Sequence, residues 1–192
     1  MVHPAAATGF ARSADAYDRG RPGYPHGAIE WLAERLAGSR VVGLTAGTGK
    51  LTRPLADRGF GGPRALAEIH RVLRPGGTLA LVFNRRRSED EIHQRIDALL
   101  APHRGDTPEH ASAGWRGSLV ASNLFERLDA ARFDNAQSLD GDGLVDRFGS
   151  VSFVASMDDV PRAKLLAALA ELAAGGRATL RYRTDVDVFR AV

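Results

Sequence analysis

The stretch from Arg40 to Leu55, R-V-V-G-L-T-A-G-T-G-K-L-T-R-P-L, constrains this chain more than any other. A short apolar run gives way to small residues and then to a helical pattern. That is the order of a strand, a glycine turn and the first turns of a helix. Gly47 and Gly49 permit a sharp bend and a close approach to a ligand. The amides and positive dipole end of the following helix would face whatever sits in the turn. A phosphate loop, G-x-x-x-x-G-K-[ST], fits at Gly49-Lys50, but Leu44 stands where the first glycine belongs and Leu51 replaces the hydroxyl. A dinucleotide turn, G-x-G-x-x-G, fits at Gly47 and Gly49 and fails at Thr52.

The rest of the chain reads as alternating helices and strands. Ala5 to Tyr17 is alanine-rich and predicts a helix, followed by a Pro/Gly-fixed loop over Asp18–Pro25. Gly27 to Ala37 carries Ile29, Leu32 and Leu36 at helical spacing, with Gly38 as a stop; Trp31 lies off that stripe as a packing residue. Val41, Val42 and Leu44 form a first strand, too apolar to be half exposed. Arg64 to Leu73 is a helix with Leu66, Ile69 and Leu73 on one face and His70 beside it, a packing or surface histidine without a second metal ligand at suitable spacing. Pro75-Gly76-Gly77 turns into a strand over Thr78–Phe83, and Asn84 stands at its C-terminal end. Ligands of open α/β sheets gather at that edge, which makes Asn84 a candidate site residue.

Ser88 reads as the N-cap of a helix whose apolar face is Ile92, Ile96, Leu99 and Leu100. Pro102 to Gly117 reads as a long loop with His103, His110 and Trp115. Leu128–Phe133 suggests a strand and Asp140–Phe148 a short helix. Asp158, Asp159 and Pro161 open a helix with Leu165, Leu166, Leu169 and Leu172 on its core face, and Gly175-Gly176 ends it. Ala178–Arg183 and Val186–Val192 read as two strands.

Two blocks flank the glycine turn: F10-A-R-S-A-D-A-Y-D-R-G-R-P-G-Y-P25 and L66-A-E-I-H-R-V-L-R-P-G-G-T-L-A-L-V-F-N84. Together with A46-G-T-G-K-L-T52, they resemble a bacterial branch of class I S-adenosylmethionine (SAM) methyltransferases that act on small molecules. In that branch a Y-x-x-x-R-P-x-Y-P segment precedes the nucleotide turn, and R-V-L-R-P-G-G forms the corner before the fifth strand. The resemblance implies a Rossmann-like α/β sheet flanked by helices, with SAM as cofactor. It places Tyr17, Arg21, Thr45, Ala46, Gly47, Thr48 and Gly49 at the cofactor, and Tyr24 and Asn84 on the substrate side. The Tyr17–Pro25 segment is implied to close over the cofactor as a lid, with Arg21 meeting a carboxylate of cofactor or substrate. The last strand is implied to run antiparallel and to close the sheet.

The family pattern also exposes a gap. Asp57 to Pro63 leads straight into the later helix, where the family carries its second, third and fourth strands and the acid that binds the ribose. A βαβ unit takes roughly 30 residues or more, so the chain reads as truncated by an internal deletion after Phe60. Gly43 and Thr45 replace the acid and the first glycine of the acid-x-G-x-G-x-G turn. One domain over 1–192 is expected: an N-terminal lid over 1–38, a shortened cofactor-binding half over 39–84, and a substrate-side half over 85–192. Two functional expectations follow: methyl transfer to a small-molecule acceptor, or a non-enzymatic remnant or regulatory partner. A nucleotide-binding module using Gly47–Lys50 for phosphate is a third. Loss of the fourth strand predicts an exposed apolar edge and self-association.

Composition narrows the classes further. An apolar fraction of 44% suffices for a core. The absence of cysteine removes disulfides and thiolate metal sites and suits the cytoplasm. The net charge of +3 is carried by scattered arginines, with only Lys50 and Lys164 as lysines, and no basic face with stacking aromatics predicts nucleic-acid binding. No stretch approaches the ~20 apolar residues of a membrane span, and the N-terminus lacks the pattern of a signal peptide. Methyl transfer needs no catalytic triad, carboxylate pair or zinc frame, because the cofactor arrives activated.

Overall fold

The computed structural model describes residues 14–36, 63–105, 117, 119 and 121–192. The glycine turn and the expected first strand, Val41–Leu44, lie outside the described residues. What is described is mixed α/β: a three-stranded antiparallel sheet in the order β1-β3-β2 with helices packed on it. The strands are β1 (Thr78–Arg86), β2 (Phe125–Leu139) and β3 (Ala178–Ala191). The helices are α1 (Ala14–Gly20), α2 (His26–Ala33), α3 (Pro63–Val72), α4 (Glu91–Leu100), α5 (Gly141–Gly149), α6 (Ser152–Ala155) and α7 (Asp159–Glu171).

β3 is central, pairing with β1 from Thr78↔Arg190 to Arg86↔Tyr182 and with β2 from Phe125↔Ala191 to Leu139↔Ala178. The sequence suggested two strands here, interrupted at Thr184-Asp185. The structure corrects this to one strand. Asp185 does not break it, because Arg85 and Arg183 neutralise its carboxylate at 2.8 and 2.6 Å. β2 is also longer than the expected Leu128–Phe133. Its alternating polar residues lie on an exposed edge, and a bulge between Arg127 and Asp129 leaves Leu128 unpaired and exposed.

The main core lies between α4, α5, α6, α7 and one end of the sheet. Ile96, Leu144, Val154, Leu169, Leu180 and Tyr182 are nearly or wholly buried there. Burial of each large aliphatic side chain contributes about 1.5–3 kcal/mol. A second cluster joins Leu66, Ile69 and Leu73 of the α3 region to Leu79, Phe125 and Phe189. A third sets Ala28, Trp31 and Leu32 of α2 against Val186 and Val188. The Pro75-Gly76 corner is a tight turn: Gly76 takes φ 69, and the Gly77 amide donates to the Arg74 carbonyl at 2.7 Å.

Several boundaries move. α1 runs to Gly20, so Asp18, Arg19 and Gly20 are helical rather than loop. The cap of α4 is Asp90 rather than Ser88; the Ser88 carbonyl instead accepts from Gln94 Nε2 at 3.4 Å. Asp140 caps α5 by accepting from the Gly143 amide at 2.9 Å. His70 has the packing role expected of it, with Nε2 2.8 Å from the Val192 backbone oxygen and its ring edge-on to Phe125.

Candidate functional site

Between α1 and α2 the chain passes through Arg21-Pro22-Gly23-Tyr24-Pro25 as an extended strap over the sheet. Three side-chain amides hold it by its carbonyl groups. Gln137 Nε2 donates to Gly20 O at 3.1 Å, and Asn135 Nδ2 donates to Gly23 O at 2.8 Å. Asn84 Nδ2 donates to Gly23 O at 3.1 Å and to Pro22 O at 3.4 Å. The Asn84 carbonyl oxygen accepts from Thr184 Oγ1 at 2.5 Å and from Asn135 Nδ2 at 3.2 Å. Asn84 thus uses both amide hydrogens and both lone pairs in the fold. It anchors the strap and offers a ligand no spare hydrogen bond.

The strap starts where α1 meets α5 backbone to backbone. A Cβ at Gly20 would lie 2.5 Å from Arg147 Cα, a distance that real side chains do not show. Arg19 grips Asp146 from α1 with two hydrogen bonds of 2.6 and 2.9 Å. Beyond Gly20, the Arg21 guanidinium lies over the Tyr17 ring at 4.1 Å. Arg21 keeps much of its surface in solvent, yet its guanidinium is held below the usual arginine range, first by desolvation and then by the like charge of Arg147. Tyr24 is half exposed.

Arg147 is the residue that sequence reasoning missed. It is buried, and its Nε has no hydrogen-bond partner. Gln137, Asn135 and Thr184 were missed as well. Their common signal is faint, a polar residue on a strand facing the covered side. Of the residues expected at the cofactor, Tyr17 and Arg21 are brought together beside Tyr24 and Asn84. Thr45, Ala46, Gly47, Thr48 and Gly49 lie outside the described residues.

A hollow of about 840 Å³ lies elsewhere, on the opposite face of the sheet among Arg85, Arg127, Asp129, Arg132, Arg183 and Asp185. Its carboxylates are already met. Asp185 pairs with Arg85 and Arg183, Asp187 with Arg127 at 2.9 Å, and Asp129 with Arg35 at 2.7 Å. Such a network neutralises itself, so this hollow makes a weak claim on a ligand. Among the described residues, no group of three or more His, Cys, Asp or Glu could hold a metal. No helix of the described residues is long and apolar enough to cross a membrane.

The described residues thus form a mixed α/β fold with an amide-tethered strap near the C-terminal end of β1. The chain is similar to uncharacterized methyltransferases of Mycobacterium tuberculosis and Mycobacterium bovis, each 33% identical over 128 aligned positions that cover 40% of this chain and 52% of theirs. It thus spans about half the length of these curated relatives. An uncharacterized methyltransferase-like protein of Schizosaccharomyces pombe is 24% identical over 212 positions, covering 82% of each chain. That alignment is longer than the 192 residues of this chain, so part of the fission-yeast protein faces gaps. A solved structure, described as a candidate type II methyltransferase of Anaeromyxobacter dehalogenans, aligns with TM-score 0.44 and 23% identity over 67% of this chain and 57% of that one, a likeness too slight to carry an argument. No family model matches.

Proposed function

We propose that this chain is a shortened SAM-dependent methyltransferase that acts on a small molecule. The carrying observation is the strap. Asn84, Asn135 and Gln137 bind it through backbone carbonyls, which leaves the Arg21 and Tyr24 side chains exposed beside the sheet. A lid needs that arrangement, with its backbone fixed and its side chains presented. The similarity to methyltransferases supplies the chemistry. SAM, when bound, brings a methyl group already activated on a sulfonium centre. Arg21 donates to a carboxylate of the ligand, the strap excludes water, and Tyr24 borders the acceptor. The segment from Thr45 through Ala46, Gly47 and Thr48 to Gly49 supplies the nucleotide turn in this reading.

A second reading has one observation in its favour. The alignment with gaps against the fission-yeast relative supports an internal deletion, and Gly43 and Thr45 depart from the family turn. A chain without the ribose-binding acid would be a non-enzymatic partner of an intact relative.

A thermal melt with and without S-adenosylhomocysteine separates the two. A ligand at one hundred times its dissociation constant adds about 2.7 kcal/mol of stability. We expect a cooperative melt that shifts upward with the ligand. A cooperative melt that does not move sinks the methyltransferase reading in favour of the non-enzymatic one.

A further inference from the structure

We infer that two copies of this chain pair through β2, antiparallel about a two-fold axis at Phe133, and join their sheets edge to edge. The inference is independent of the methyl-transfer reading.

Among the described residues β2 hydrogen-bonds to a strand on one side only, because β3 is its sole neighbour in the order β1-β3-β2. An open edge presents its outward amides and carbonyls to other strands, and bulges or charges usually guard it. Here the bulge between Arg127 and Asp129 guards one end and leaves the run from Asp129 to Leu139 regular. Along that run two charges stand on the face of the arginine-lined hollow, Arg132 and Asp134, two positions apart and both exposed.

Each is short of a partner. Of the four arginines around the hollow, Arg85 and Arg183 hold Asp185, and Arg127 holds Asp187. Arg132 stands opposite Asp185 in the ladder, finds that carboxylate taken, and pairs with no acid among the described residues. Asp134 meets Arg87 through Oδ1 alone, and its side chain is 87% exposed.

Geometry restricts how this edge can meet a copy of itself. In an antiparallel pair, two residues directly opposite must both aim their backbone groups at the partner or both aim them away. A two-fold axis therefore passes through a residue, never between two. Axes at Arg132 or Asp134 set like charge against like. Axes at Ala131 or Asn135 leave Arg132 opposite Ala130 or Ser138. Among these, only the axis at Phe133 sets Arg132 opposite the partner's Asp134, and Asp134 opposite the partner's Arg132. Opposite charges placed so are favourable, and like charges are the reverse. Ala130 and Ala136 then face each other without a clash of bulk. The pairing is isologous and closed, so it stops at two copies. The edge of β1 offers no such register, because its charges, Arg85 and Arg86, share one sign.

Sedimentation of the full chain over a series of concentrations tests this. We expect a monomer–dimer equilibrium with no larger species. Arg132→Asp and Asp134→Arg each set like charges opposite at two places, and each should weaken the dimer by at least about tenfold. Mixing the two variants should restore it, since each supplies the charge that the other lacks. The chain contains no cysteine, so a cross-link can be placed cleanly. Opposite residues in the pair have Cα atoms about 4.5–5.5 Å apart, within disulfide reach, whereas positions 130 and 136 of one strand lie about 20 Å apart. Mild oxidation of a chain with Ala130→Cys and Ala136→Cys should therefore give a covalent dimer. Ala130→Cys with Ser138→Cys, one register on, should give little.

The proposal is overturned if the wild type stays monomeric, if assembly runs past the dimer, or if either charge reversal leaves the dimer intact. It is equally overturned if mixing fails to restore the dimer, or if the shifted cysteine pair links as readily as the matched one. The wild-type series and the cysteine pairs involve no charge reversal, so they decide the matter even if a reversed variant does not fold.

Discussion

The two faces of the sheet handle buried charge in opposite ways. On one, Asp185 and Asp187 are buried, and each carboxylate is met by arginine. On the other, which the strap crosses, the polar groups of Asn84, Asn135, Gln137 and Thr184 satisfy one another and the strap backbone. Yet Arg147, beside that strap, is buried, and no carboxylate among the described residues pairs with it. A self-neutralised network explains itself as structure. A buried cation without such a partner does not.

The largest effect should come from Gly20, which sets the distance between strap and Arg147. Gly20→Ala places a methyl group against the α5 backbone, 2.5 Å from Arg147 Cα and N, where no flexible side chain can yield. Overpacking of this kind costs roughly 3 kcal/mol. Urea unfolding should show that loss, and an unchanged midpoint would mean that α1 does not pack on α5 as described.

A paired substitution measures the contrast directly. Asp185→Ala strands Arg85 and Arg183 beside a lost carboxylate. Both arginines keep some exposure, so solvent screens part of the loss, and about 1–2 kcal/mol of destabilisation is expected. Arg147→Met should have the opposite sign. Replacing an unmatched buried charge with an apolar side chain of similar length should leave stability equal or raise it by about 1 kcal/mol. A marked loss of stability in Arg147→Met would show that Arg147 serves the fold, and the contrast between the faces would collapse.

Much of this fold was legible in the sequence. The leucine and isoleucine spacing marked α3, α4 and α7, and Pro75-Gly76 marked the entry to β1. Periodicity reports burial on one face of one element, and there it worked. It failed where burial depends on a distant partner. Thr184-Asp185 looked like a break because two polar residues seldom sit mid-strand; Arg85, one hundred residues away, makes it tolerable. Arg147 drew no notice in the short helix G-D-G-L-V-D-R-F-G, because nothing local says that Gly20 will press on it. Asn84 was singled out by its place at a strand end, while its hydrogen-bond partners, Pro22, Gly23, Asn135 and Thr184, come from three other parts of the chain. The motif residues Tyr17, Arg21 and Tyr24 stood out by pattern; the strap that presents them did not.

The smallest effect concerns a buried group whose uncharged form is the one the fold accepts. His93 has no exposed surface, its Nε2 lies 2.8 Å from the Arg181 carbonyl, and its Nδ1 has no partner. Nε2 therefore carries the proton, donates to that carbonyl, and leaves Nδ1 bare. Burial holds the imidazole below its usual range; the Arg181 carbonyl pulls it back up, Arg86 pushes it down, and Asp90 and Asp97 pull it up. Because the folded state binds the proton less readily than the unfolded chain, the stabilising contribution is complete above about pH 6.5, the unfolded value. It falls as the pH drops below that and levels off once the pH passes the lower, folded value. Between pH 7.5 and 5, unfolding free energy should decline with acid, well above the range in which Asp185, itself held low, takes up a proton. His93→Gln can keep the hydrogen bond to the Arg181 carbonyl but cannot titrate, and it should flatten that part of the profile. A slope unchanged in His93→Gln would place the acid sensitivity elsewhere and would mean that the sheet-facing side of α4 is wetter than its burial implies.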